Sequence, residues 1–529
     1  MIVTEDVEPQ DIGHSVTGGA IGIALDRIRD EHLLDAYNFS FTVRNTDCAT
    51  GSGVGPALEF ILNLDTHAIV GPPCGGVNVG TISTAYQMPM FTWGYTFRAD
   101  LTVDTRFPYL STITASSLSL GYAMSALTAL FKWDRIAFVY IRNSVGYCAT
   151  IANDVEVAIN DPNTSEKYRT QMVYRAVLDE SNNETYYSRL ESIKEIARVV
   201  IVCMPNGPTK RRFFARINAL GMDTEEYVYV ITELKSIGFV PSGLSPFWAD
   251  TEHEGENEDG LNVAAKLGAR RAIVLDISSR DDAAIESFSD AVLKRITGPP
   301  LYCNTTTCLN AASSKTELKA GVYARSLHDA FYLYARALNK RLTGEVVITV
   351  NGTRDPFFFV YALDSNYIPK RWINISINTG LMSEAIGCID CLELSMIYTD
   401  EASTIWSTRS KGRPLATPLC GYLGTSCPKD FWEQNGIYIG IIIGFAVVIV
   451  IVTFFLAIYY LRERQKEIDR LNSLWQVSYR QLDKHSTKKE RQSMRSLSSF
   501  GTSSTSTKVT GNSDLQETSS TAYFYLNKV

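Results

Sequence analysis

The sequence is poor in the residues from which catalytic centres are most often built. Its 529 residues include only six histidines, which fall in unrelated contexts, at His14, His32, His67, His253, His328 and His485. It contains no Gly-x-Ser-x-Gly elbow, no His-Glu-x-x-His motif and no His-Arg-Asp kinase motif. No residue is therefore assigned a catalytic role, and the sequence alone leaves open whether the protein is an enzyme.

Charge is absent from Ile437 to Leu461, a run of 25 mostly apolar residues. In a helix this run would measure about 37 Å at 1.5 Å per residue, against a hydrocarbon core of about 30 Å. The run predicts one membrane-spanning helix over residues 437–461. It separates an outer region, residues 1–430, from a tail, residues 462–529.

Cysteines and N-glycosylation sequons are both missing after the apolar run. An even set of ten cysteines precedes it, which indicates disulfides in an oxidising compartment. Arg462, Arg464 and Lys466 follow the run directly, as is typical of the cytoplasmic side. N-glycans are added on the lumenal side, and the six sequons all lie before the run, at Asn38, Asn163, Asn183, Asn304, Asn351 and Asn374. We therefore expect a plasma-membrane protein with its N-terminus outside and its C-terminus in the cytoplasm.

A recognisable signal peptide is missing from residues 1–20, which have neither a basic segment nor an apolar one. An outer region of this length does not cross a membrane easily without such a signal. We therefore expect the protein to begin upstream of Met1, with a reverse-anchored protein as the alternative.

Basic residues are in the minority on the outer side. The tail holds 12 of the 50 Lys and Arg residues and 7 of the 57 Asp and Glu residues, which leaves residues 1–461 with a net charge of −12. An acidic region argues against nucleic acid and against anionic lipid as partners. It suits a basic peptide or a neutral small molecule as the extracellular ligand.

Strand-like runs alternate with helical patterns through the outer region. Examples of the former are NFSFTV (residues 38–43), MPMFTW (88–93), RIAFVYI (135–141), ARVVIVCM (197–204) and YVYVIT (227–232). Examples of the latter are residues 18–33, with Ile21 and Leu25 on one face, and residues 283–296. Such repetition predicts parallel sheets covered by helices on both faces. More than 400 residues of it exceed one sheet, so the predicted fold class is α/β with two lobes and a ligand cleft between them.

Several stretches carry a family resemblance. ALDRIRDEHLLDAYNFSFTVRNTDC (residues 24–48), ALEFILNLDTHAIVGPPC (57–74) and YARSLHDAFYLYARALN (323–339) resemble the ligand-binding ectodomain of receptor-type guanylyl cyclases. This is the natriuretic-peptide-receptor group, and the likeness is greatest to its nematode branch. The resemblance implies a two-lobed type I periplasmic-binding-protein fold and an extracellular ligand, either a peptide or a small molecule.

The tail continues the resemblance on the other side of the membrane. LWQVSYRQL (residues 474–482) is similar to the entry of the family's kinase homology domain, and TAYFYLNKV (521–529) to its opening strands. The family's cyclase domain, which uses GTP with Mg or Mn, is not in this chain, so we expect no cofactor in it. The resemblance implies a single-pass receptor that couples ligand sensing to cyclic GMP synthesis by absent cytoplasmic domains. A short-tailed clearance or decoy receptor is the alternative, whereas a glutamate-type receptor would need more membrane spans.

The ten cysteines are expected to form structural disulfides. The resemblance implies a bond between Cys48 and Cys74, and a second bond from Cys148 to Cys203 would tie a helix start to a strand end. The other six cysteines form close pairs whose exact partners stay open: Cys303 and Cys308, Cys388 and Cys391, Cys420 and Cys427. Redox activity or zinc binding is the alternative for the Cys-x-x-Cys at 388–391, but no second such motif accompanies it.

Two polar motifs have both a functional and a structural interpretation. GPPCGG (residues 71–76) is either an anion cradle at a helix N-terminus or a plain strand-to-helix turn. DTEHEGENED (250–259) gathers six carboxylates around His253, but its spacing matches no EF-hand loop. We expect a turn in the first case, a solvated loop in the second, and no metal site.

The juxtamembrane segment and the tail suggest how a signal passes inward. Leu461, Ile468 and Trp475 recur at seven-residue spacing, which favours either a helix that pairs in a homodimer or simple interfacial anchoring. Ten of the fifteen residues 493–507 are Ser or Thr, so we expect a mostly disordered tail. Ser493, Ser496 and Ser498 are candidate phosphorylation sites that would tune coupling.

Overall fold

The computed structural model describes most of the outer region and the helix that follows it. The described residues are 1–49, 51–103, 105–143, 145–162, 169–205, 207–240, 245–250, 259–277, 282–314, 318–343, 356–377, 382–383, 387–388, 391–410, 412–427, 431–476, 482–484 and 524–526. They belong to two compact units, Met1–Pro428 and Lys429–Val529.

Seventeen strands, fourteen α-helices and one short 3-10 helix (Ala99–Thr102) lie within the described residues. The strands are β1 (Ile2–Val3), β2 (Arg44–Asn45), β3 (Ile69–Val70), β4 (Met90–Thr92), β5 (Leu110–Thr112), β6 (Arg135–Ile141), β7 (Gln171–Leu178), β8 (Val199–Cys203), β9 (Val228–Thr232), β10 (Ala272–Ile277), β11 (Phe357–Leu363), β12 (Pro369–Ile377), β13 (Met382–Ser383), β14 (Gly387–Cys388), β15 (Leu392–Met396), β16 (Leu482–Lys484) and β17 (Phe524–Leu526). The helices are α1 (Pro9–Ile12), α2 (His14–Thr17), α3 (Gly19–Asp30), α4 (Val54–Asn63), α5 (Gly76–Ala85), α6 (Ser117–Leu130), α7 (Tyr147–Asn160), α8 (Asn183–Ile196), α9 (Pro208–Ala219), α10 (Asn262–Ala269), α11 (Asp282–Arg295), α12 (Thr306–Ser313), α13 (Ala324–Thr343) and α14 (Phe431–Trp475).

The largest sheet has eight strands in the order β15-β12-β11-β10-β9-β8-β6-β7. Strands β7, β6, β8, β9 and β10 pair in parallel, and β11, β12 and β15 continue the sheet in antiparallel fashion. The central strands β8 and β9 are buried along their whole length. Burial on both faces is why these strands read as unbroken β-branched runs and not as alternating patterns.

The N-terminal strands form smaller parallel sheets, β1-β2 and β3-β4-β5. Helix α3 packs against α11 and α13, and α13 also contacts β3 and β4. The chain therefore returns to the N-terminal sheets after building most of the large one. We call β1–β5 with α1–α5 and α11–α13 the first lobe, and β6–β12, β15 and α6–α10 the second lobe.

The predicted α/β fold class is confirmed, and one predicted strand is corrected. Residues 38–43, NFSFTV, form no strand, and only the short β2 follows them. The rings of Phe39 and Phe41 pack edge-on against Phe331 of α13, at centroid distances of 5.1 and 5.2 Å. Packing of aromatic rings on a helix, and not a ladder of strand hydrogen bonds, holds this extended stretch.

Helix α14 contains the predicted membrane span and continues beyond it. It is the one helix among the described residues that is long and apolar enough to cross a membrane. It does not stop at Leu461 but runs without a break to Trp475. In the same unit, β16 pairs with β17 in antiparallel fashion. The predicted disordered stretch and the candidate sites Ser493, Ser496 and Ser498 lie outside the described residues.

Candidate ligand cleft

Polar side chains gather where the strands of both lobes end. Asp11 follows β1 and Tyr95 follows β4 in the first lobe, whereas Tyr147 follows β6 and Lys235 follows β9 in the second. Parallel sheets bind ligands beyond the carboxyl ends of their strands. Because these four residues contact one another, the two carboxyl edges face each other across a cleft.

Lys235 crosses this cleft and is almost completely buried. Its Nζ lies 2.8 Å from Oδ2 of Asp11, and the side chain of Lys235 is 3% exposed. The same ammonium lies 5.2 Å from the ring centroid of Tyr95 and 4.9 Å from that of Tyr147. A carboxylate and two aromatic faces therefore surround one cation, which is the combination that stabilises a buried ammonium.

The tyrosines form one packed cluster around that ammonium. The ring of Tyr95 stacks on Tyr147 at 5.1 Å and meets Tyr323 edge-on at 5.1 Å. The hydroxyl of Tyr95 donates a hydrogen bond to Asp11. The hydroxyls of Tyr147 and Tyr323 are buried and have no hydrogen-bond partner within the described part of the chain. We call Asp11, Tyr95, Tyr147 and Tyr323 the ammonium cage.

The electrostatics of the cage keep its occupant charged. Burial lowers the pKa of Lys235, but the negative charge of Asp11 raises it, and the pKa lies well above its usual value. Burial raises the pKa of Tyr95, Tyr147 and Tyr323 above the usual phenol range. At neutral pH the cage therefore holds a charged ammonium beside three protonated hydroxyls.

A glycine directs Tyr95 into the cleft. Gly94 has a φ of +78°, and a Cβ at this position would lie 2.6 Å from the carbonyl oxygen of Pro73, which no larger residue tolerates. The N–H of Tyr95 donates to the same Pro73 oxygen at 2.7 Å. The turn between β3 and α5, which contains the GPPCGG motif, thus fixes the backbone of Tyr95.

A buried carboxylate holds the loop that carries Lys235. Asp276, at the end of β10 and completely buried, accepts hydrogen bonds from the backbone N–H groups of Lys235 (3.1 Å), Ser236 (3.0 Å), Ile237 (2.6 Å) and Gly238 (2.9 Å). The N–H of Ile277 also donates to it, at 2.7 Å. Such a ring of donors around one carboxylate fixes the loop backbone and so the direction of the Lys235 side chain.

Two further polar pairs line the same edges. Lys210 at the start of α9 forms an ion pair with Glu233, and both side chains are 1% exposed. Asn143, which follows β6, donates from Nδ2 to Oε1 of Glu8 at 3.1 Å. The Asn143–Glu8 bond is a second link between the lobes, besides that of Lys235 to Asp11.

Comparison with known proteins agrees with this geometry. The profile of the family described as "Receptor family ligand binding region" matches residues 16–366, which is more than half of the chain. The match covers most of both lobes and includes Tyr95, Tyr147, Lys235 and Tyr323, whereas Asp11 lies before it. The chain belongs to the receptor-family ligand-binding regions.

Curated relatives of this ligand-binding region are nematode receptors. One is receptor-type guanylate cyclase gcy-4 of Caenorhabditis briggsae, 32% identical over 504 residues that cover 88% of this chain and 43% of that protein. Another is receptor-type guanylate cyclase gcy-1 of Caenorhabditis elegans, 31% identical over 515 residues, with 90% of this chain and 44% of that protein covered. A third, gcy-19 of Caenorhabditis briggsae, is 31% identical and covers 99% of this chain and 46% of its own length. The chain therefore spans less than half the length of these relatives.

Disulfides brace the ligand-binding region on both sides of the cleft. Cys148, next to the cage residue Tyr147, is bonded to Cys203 at the end of β8. In the first lobe Cys48 is bonded to Cys74, in the turn that contacts Tyr95. Bonds also join Cys303 to Cys308 and Cys420 to Cys427. Cys391 is disulfide-bonded as well, whereas the side chain of Cys388 lies outside the described residues.

The predicted glycosylation sites are spread over the ligand-binding region. Asn38, Asn183 and Asn304 are exposed, and Asn374 is half-buried within β12. Asn163 and Asn351 lie outside the described residues. None of the four described sequons adjoins the ammonium cage in sequence, so glycans remain a prediction that is separate from the ligand cleft.

The acidic motif DTEHEGENED is described only at its ends. Asp250 lies 3.3 Å from the guanidinium of Arg211, which also contacts Asp259, and Arg211 is almost fully buried. Both carboxylates therefore hold an arginine: Asp250 is buried against it, Asp259 stays partly exposed, and His253 lies outside the described residues. Among the residues that the structure describes, no group of three or more His, Cys, Asp or Glu side chains could hold a metal ion.

No sequence motif marks the residues of the cage or the lysine that occupies it. Asp11, Tyr95, Tyr147, Lys235 and Tyr323 are far apart in the chain and share no motif. The one feature of the sequence that points to the cage is the position of two of these residues. Tyr95 and Lys235 come within three residues of the ends of predicted strands. The carboxyl ends of parallel strands are where polar residues form a site.

Proposed function

We propose that this chain is the sensing part of a single-pass cell-surface receptor. Residues 1–430 bind an extracellular peptide or small molecule, residues 437–461 span the membrane, and residues 462–529 begin the cytoplasmic part. Cytoplasmic domains that are not in this chain then make cyclic GMP. One observation carries the proposal: a receptor-family ligand-binding region is followed in the same chain by one uninterrupted apolar helix.

A ligand signals only if it favours one arrangement of the lobes over another. The cleft supplies such a difference, because the links from Lys235 to Asp11 and from Asn143 to Glu8 both join the lobes. A ligand that inserts between the carboxyl edges would break or replace these links. Ligand binding then changes the free-energy difference between the closed and the open cleft, and this change is the signal.

A segment near the end of the ligand-binding region is bound to the second lobe at the edge opposite the cleft. Residues 400–410 and 412–427, which we call the strap, pack against the amino ends of the strands of the large sheet. Trp133, just before β6, donates from Nε1 to the carbonyl oxygen of Pro414 at 2.9 Å. Arg198, just before β8, donates from Nη2 to the carbonyl oxygen of Tyr422 at 2.9 Å.

The strap continues along the same edge to β9 and β10. Arg409 donates from Nη2 to the carbonyl oxygen of Tyr227, just before β9, at 2.8 Å. Arg271, just before β10, donates from Nη1 to the carbonyl oxygen of Thr408 at 3.0 Å. The four adjacent strands β10, β9, β8 and β6 therefore have the cleft at their carboxyl ends and the strap at their amino ends. The strap precedes α14 in the chain, and we propose that it passes movement of the second lobe on to the membrane helix.

We expect the two ends of the expressed chain to lie on opposite faces of the membrane. An epitope tag at the N-terminus should bind antibody on intact cells, and a tag at the C-terminus only after permeabilisation. Peptide N-glycosidase F should increase gel mobility, and Gln substitutions at Asn38, Asn183 and Asn304 together should reduce that shift. Two tags on the same face, or no glycosidase shift, would overturn the proposed topology.

The link to cyclic GMP is tested by the transcript. We expect the reading frame that encodes LWQVSYRQL (residues 474–482) to continue through a kinase homology domain into a cyclase domain. The pairing of β16 with β17 supports a folded domain in this part of the chain. A stop codon directly after Val529 would instead favour the clearance or decoy receptor.

A homodimer is part of the proposal, and α14 offers a face for it. Gly436, Gly440 and Gly444 recur every four residues, and a Cβ at any of them would meet no atom within 4 Å. Glycines at this spacing let two membrane helices approach closely. We expect Gly440→Leu with Gly444→Leu to weaken self-association at least tenfold, or about 1.4 kcal/mol.

Energy transfer between labelled chains in lipid bilayers measures this self-association. Ile442→Leu is the matched control, because residue 442 lies two positions from Gly440 and so on the opposite side of the helix. Equal energy transfer for the glycine variant and the wild type would show that this face does not mediate pairing.

A further inference from the structure

The ammonium cage has the composition of a ligand site, and its occupant belongs to the chain itself. Asp11, Tyr95 and Tyr323 come from the first lobe, whereas Lys235 reaches into the cage from the second lobe beside Tyr147. The contacts are those that proteins use to bind free amines: a carboxylate at hydrogen-bond distance and aromatic faces around the cation. Lys235 therefore occupies the cleft in the way that a small cationic ligand would.

We propose that the ammonium cage is a binding site for primary amines, which Lys235 fills as a built-in ligand that holds the lobes together. An external primary amine of similar size binds the cage when the Lys235 ammonium is removed. The inference deepens the proposed function, because it rests on the cleft being the ligand site. It does not depend on cyclic GMP or on membrane topology.

The charges of the cage require a cation. Asp11 has 14% of its side chain exposed, and Lys235 is the partner that neutralises it in the cleft. Glu233 is another carboxylate near Lys235, and it already forms an ion pair with Lys210. Loss of the Lys235 ammonium would leave Asp11 with a partly buried, uncompensated charge, which is costly. The cage without Lys235 therefore favours any cation that fits.

The hydrogen-bonding groups favour a primary amine over other cations. An ammonium has three donors, and one of those of Lys235 bonds to Asp11. The hydroxyls of Tyr147 and Tyr323 are buried and have no partner within the described residues, so the bond to Asp11 is the one that the cage gives to an ammonium placed as in Lys235. A quaternary ammonium has no N–H to give to Asp11. A guanidinium is planar and needs a different arrangement of acceptors.

Chemical rescue gives a direct test. Lys235→Ala deletes Cγ, Cδ, Cε and Nζ, which together are the heavy atoms of n-propylammonium. The full chain, purified in lipid nanodiscs, is titrated with propylammonium, and its thermal unfolding and the saturation-transfer NMR signals of the amine are recorded. We expect the Tm of Lys235→Ala to rise by about 1–3 °C at a tenfold excess over Kd, and the wild type not to change.

Matched probes and variants isolate the cage. 1-Propanol has the same chain without the charge, and tetramethylammonium has the charge without N–H donors, so neither should raise the Tm. Adding Asp11→Asn to Lys235→Ala should abolish the effect of propylammonium. Lys235→Met keeps a long side chain in the cage without the charge, so it should exclude the amine.

The results that overturn the proposal are equally specific. They are an amine that neither binds nor shifts the folded Lys235→Ala variant, an equal response to 1-propanol, or an equal response of the wild type. If Lys235→Ala folds poorly, the yield of folded protein purified with propylammonium is compared with the yield purified with 1-propanol, and equal yields reject the site. Any of these failures would leave the topology and transcript experiments unaffected.

Discussion

Replacing Asp276 with alanine is expected to lower the free energy of unfolding of the ligand-binding region by about 3–5 kcal/mol. The carboxylate accepts five backbone hydrogen bonds, four of them from the loop Lys235–Gly238. Removing the acceptor leaves these N–H groups without partners in a buried place, and each orphaned donor costs about 1–3 kcal/mol. Water that enters the vacated space recovers part of that cost.

Chemical denaturation of the full chain, followed by tryptophan fluorescence, measures the effect of Asp276. Asp276→Asn should destabilise as well, because its amide turns one acceptor into a donor that faces other N–H groups. Asp400→Asn is the matched control, since Asp400 accepts similar bonds from Ala402 and Ser403 in an exposed loop. A loss for Asp276→Ala no greater than for Asp400→Asn would show that the carboxylate does not hold the loop.

The same substitution should also weaken the cage at a distance. Asp276 does not touch the ammonium of Lys235, but it fixes the backbone from which Lys235 extends. We therefore expect faster amide hydrogen exchange in residues 235–238 and in the cage residue Tyr147, with the far side of the large sheet unchanged. This pattern distinguishes a released loop from general unfolding.

The regular parts of the fold were predictable because their signals are local. RIAFVYI was predicted as a strand and is β6, with the same first and last residue. The helix predicted at 283–296 is α11, Asp282–Arg295. Strands that are buried on both faces have continuous apolar runs, and amphipathic helices repeat every 3.6 residues, so a short window contains the evidence.

The cage could not be predicted, because it is built from residues with no local relation. Asp11 and Lys235 are 224 positions apart, yet their side chains form one ion pair. Asp11 lies in the one-turn helix α1 and Lys235 in a loop after β9, and neither segment is long enough to show a periodicity. A lysine that follows the apolar strand YVYVIT reads as a solvated loop residue until the opposite lobe is in place.

The sequence of the strap gives no sign of its buried role, for a related reason. Its sequence contains Gly, Pro, Ser and Lys, as linkers do, whereas Trp406 is 1% exposed and Arg409 is 7% exposed. Buried arginine is rare in linkers, and here its guanidinium bonds to the carbonyl oxygens of Glu225 and Tyr227. These carbonyls lie just before β9, at the amino edge of the sheet. The strap therefore donates hydrogen bonds to backbone carbonyls at the amino edge of the sheet, just as a capping residue pairs with the free backbone groups at a helix end.

Trp406→Ala is expected to release the strap and to cost about 3–5 kcal/mol. The indole lies 5.0 Å from the ring centroid of Phe131 and 6.0 Å from that of Trp133, and all three rings are buried. Truncation would leave a cavity between the end of α6 and the start of β6. Leu419→Ala is the control from the same segment, because Leu419 is 74% exposed and should change stability by less than about 0.5 kcal/mol.

In the proposed receptor, the position of the strap would make it the link between the second lobe and the membrane helix. It contacts the second lobe at the edge opposite the cleft, and it is the part of the ligand-binding region that leads along the chain into α14. We expect limited proteolysis to cut Trp406→Ala within residues 400–427 while the two lobes stay intact, and propylammonium to keep its effect when Lys235→Ala is added. Cleavage at the wild-type rate, or loss of the amine effect, would mean that the strap is not a separate mechanical element. In that case movement of the second lobe would need another route to the membrane helix.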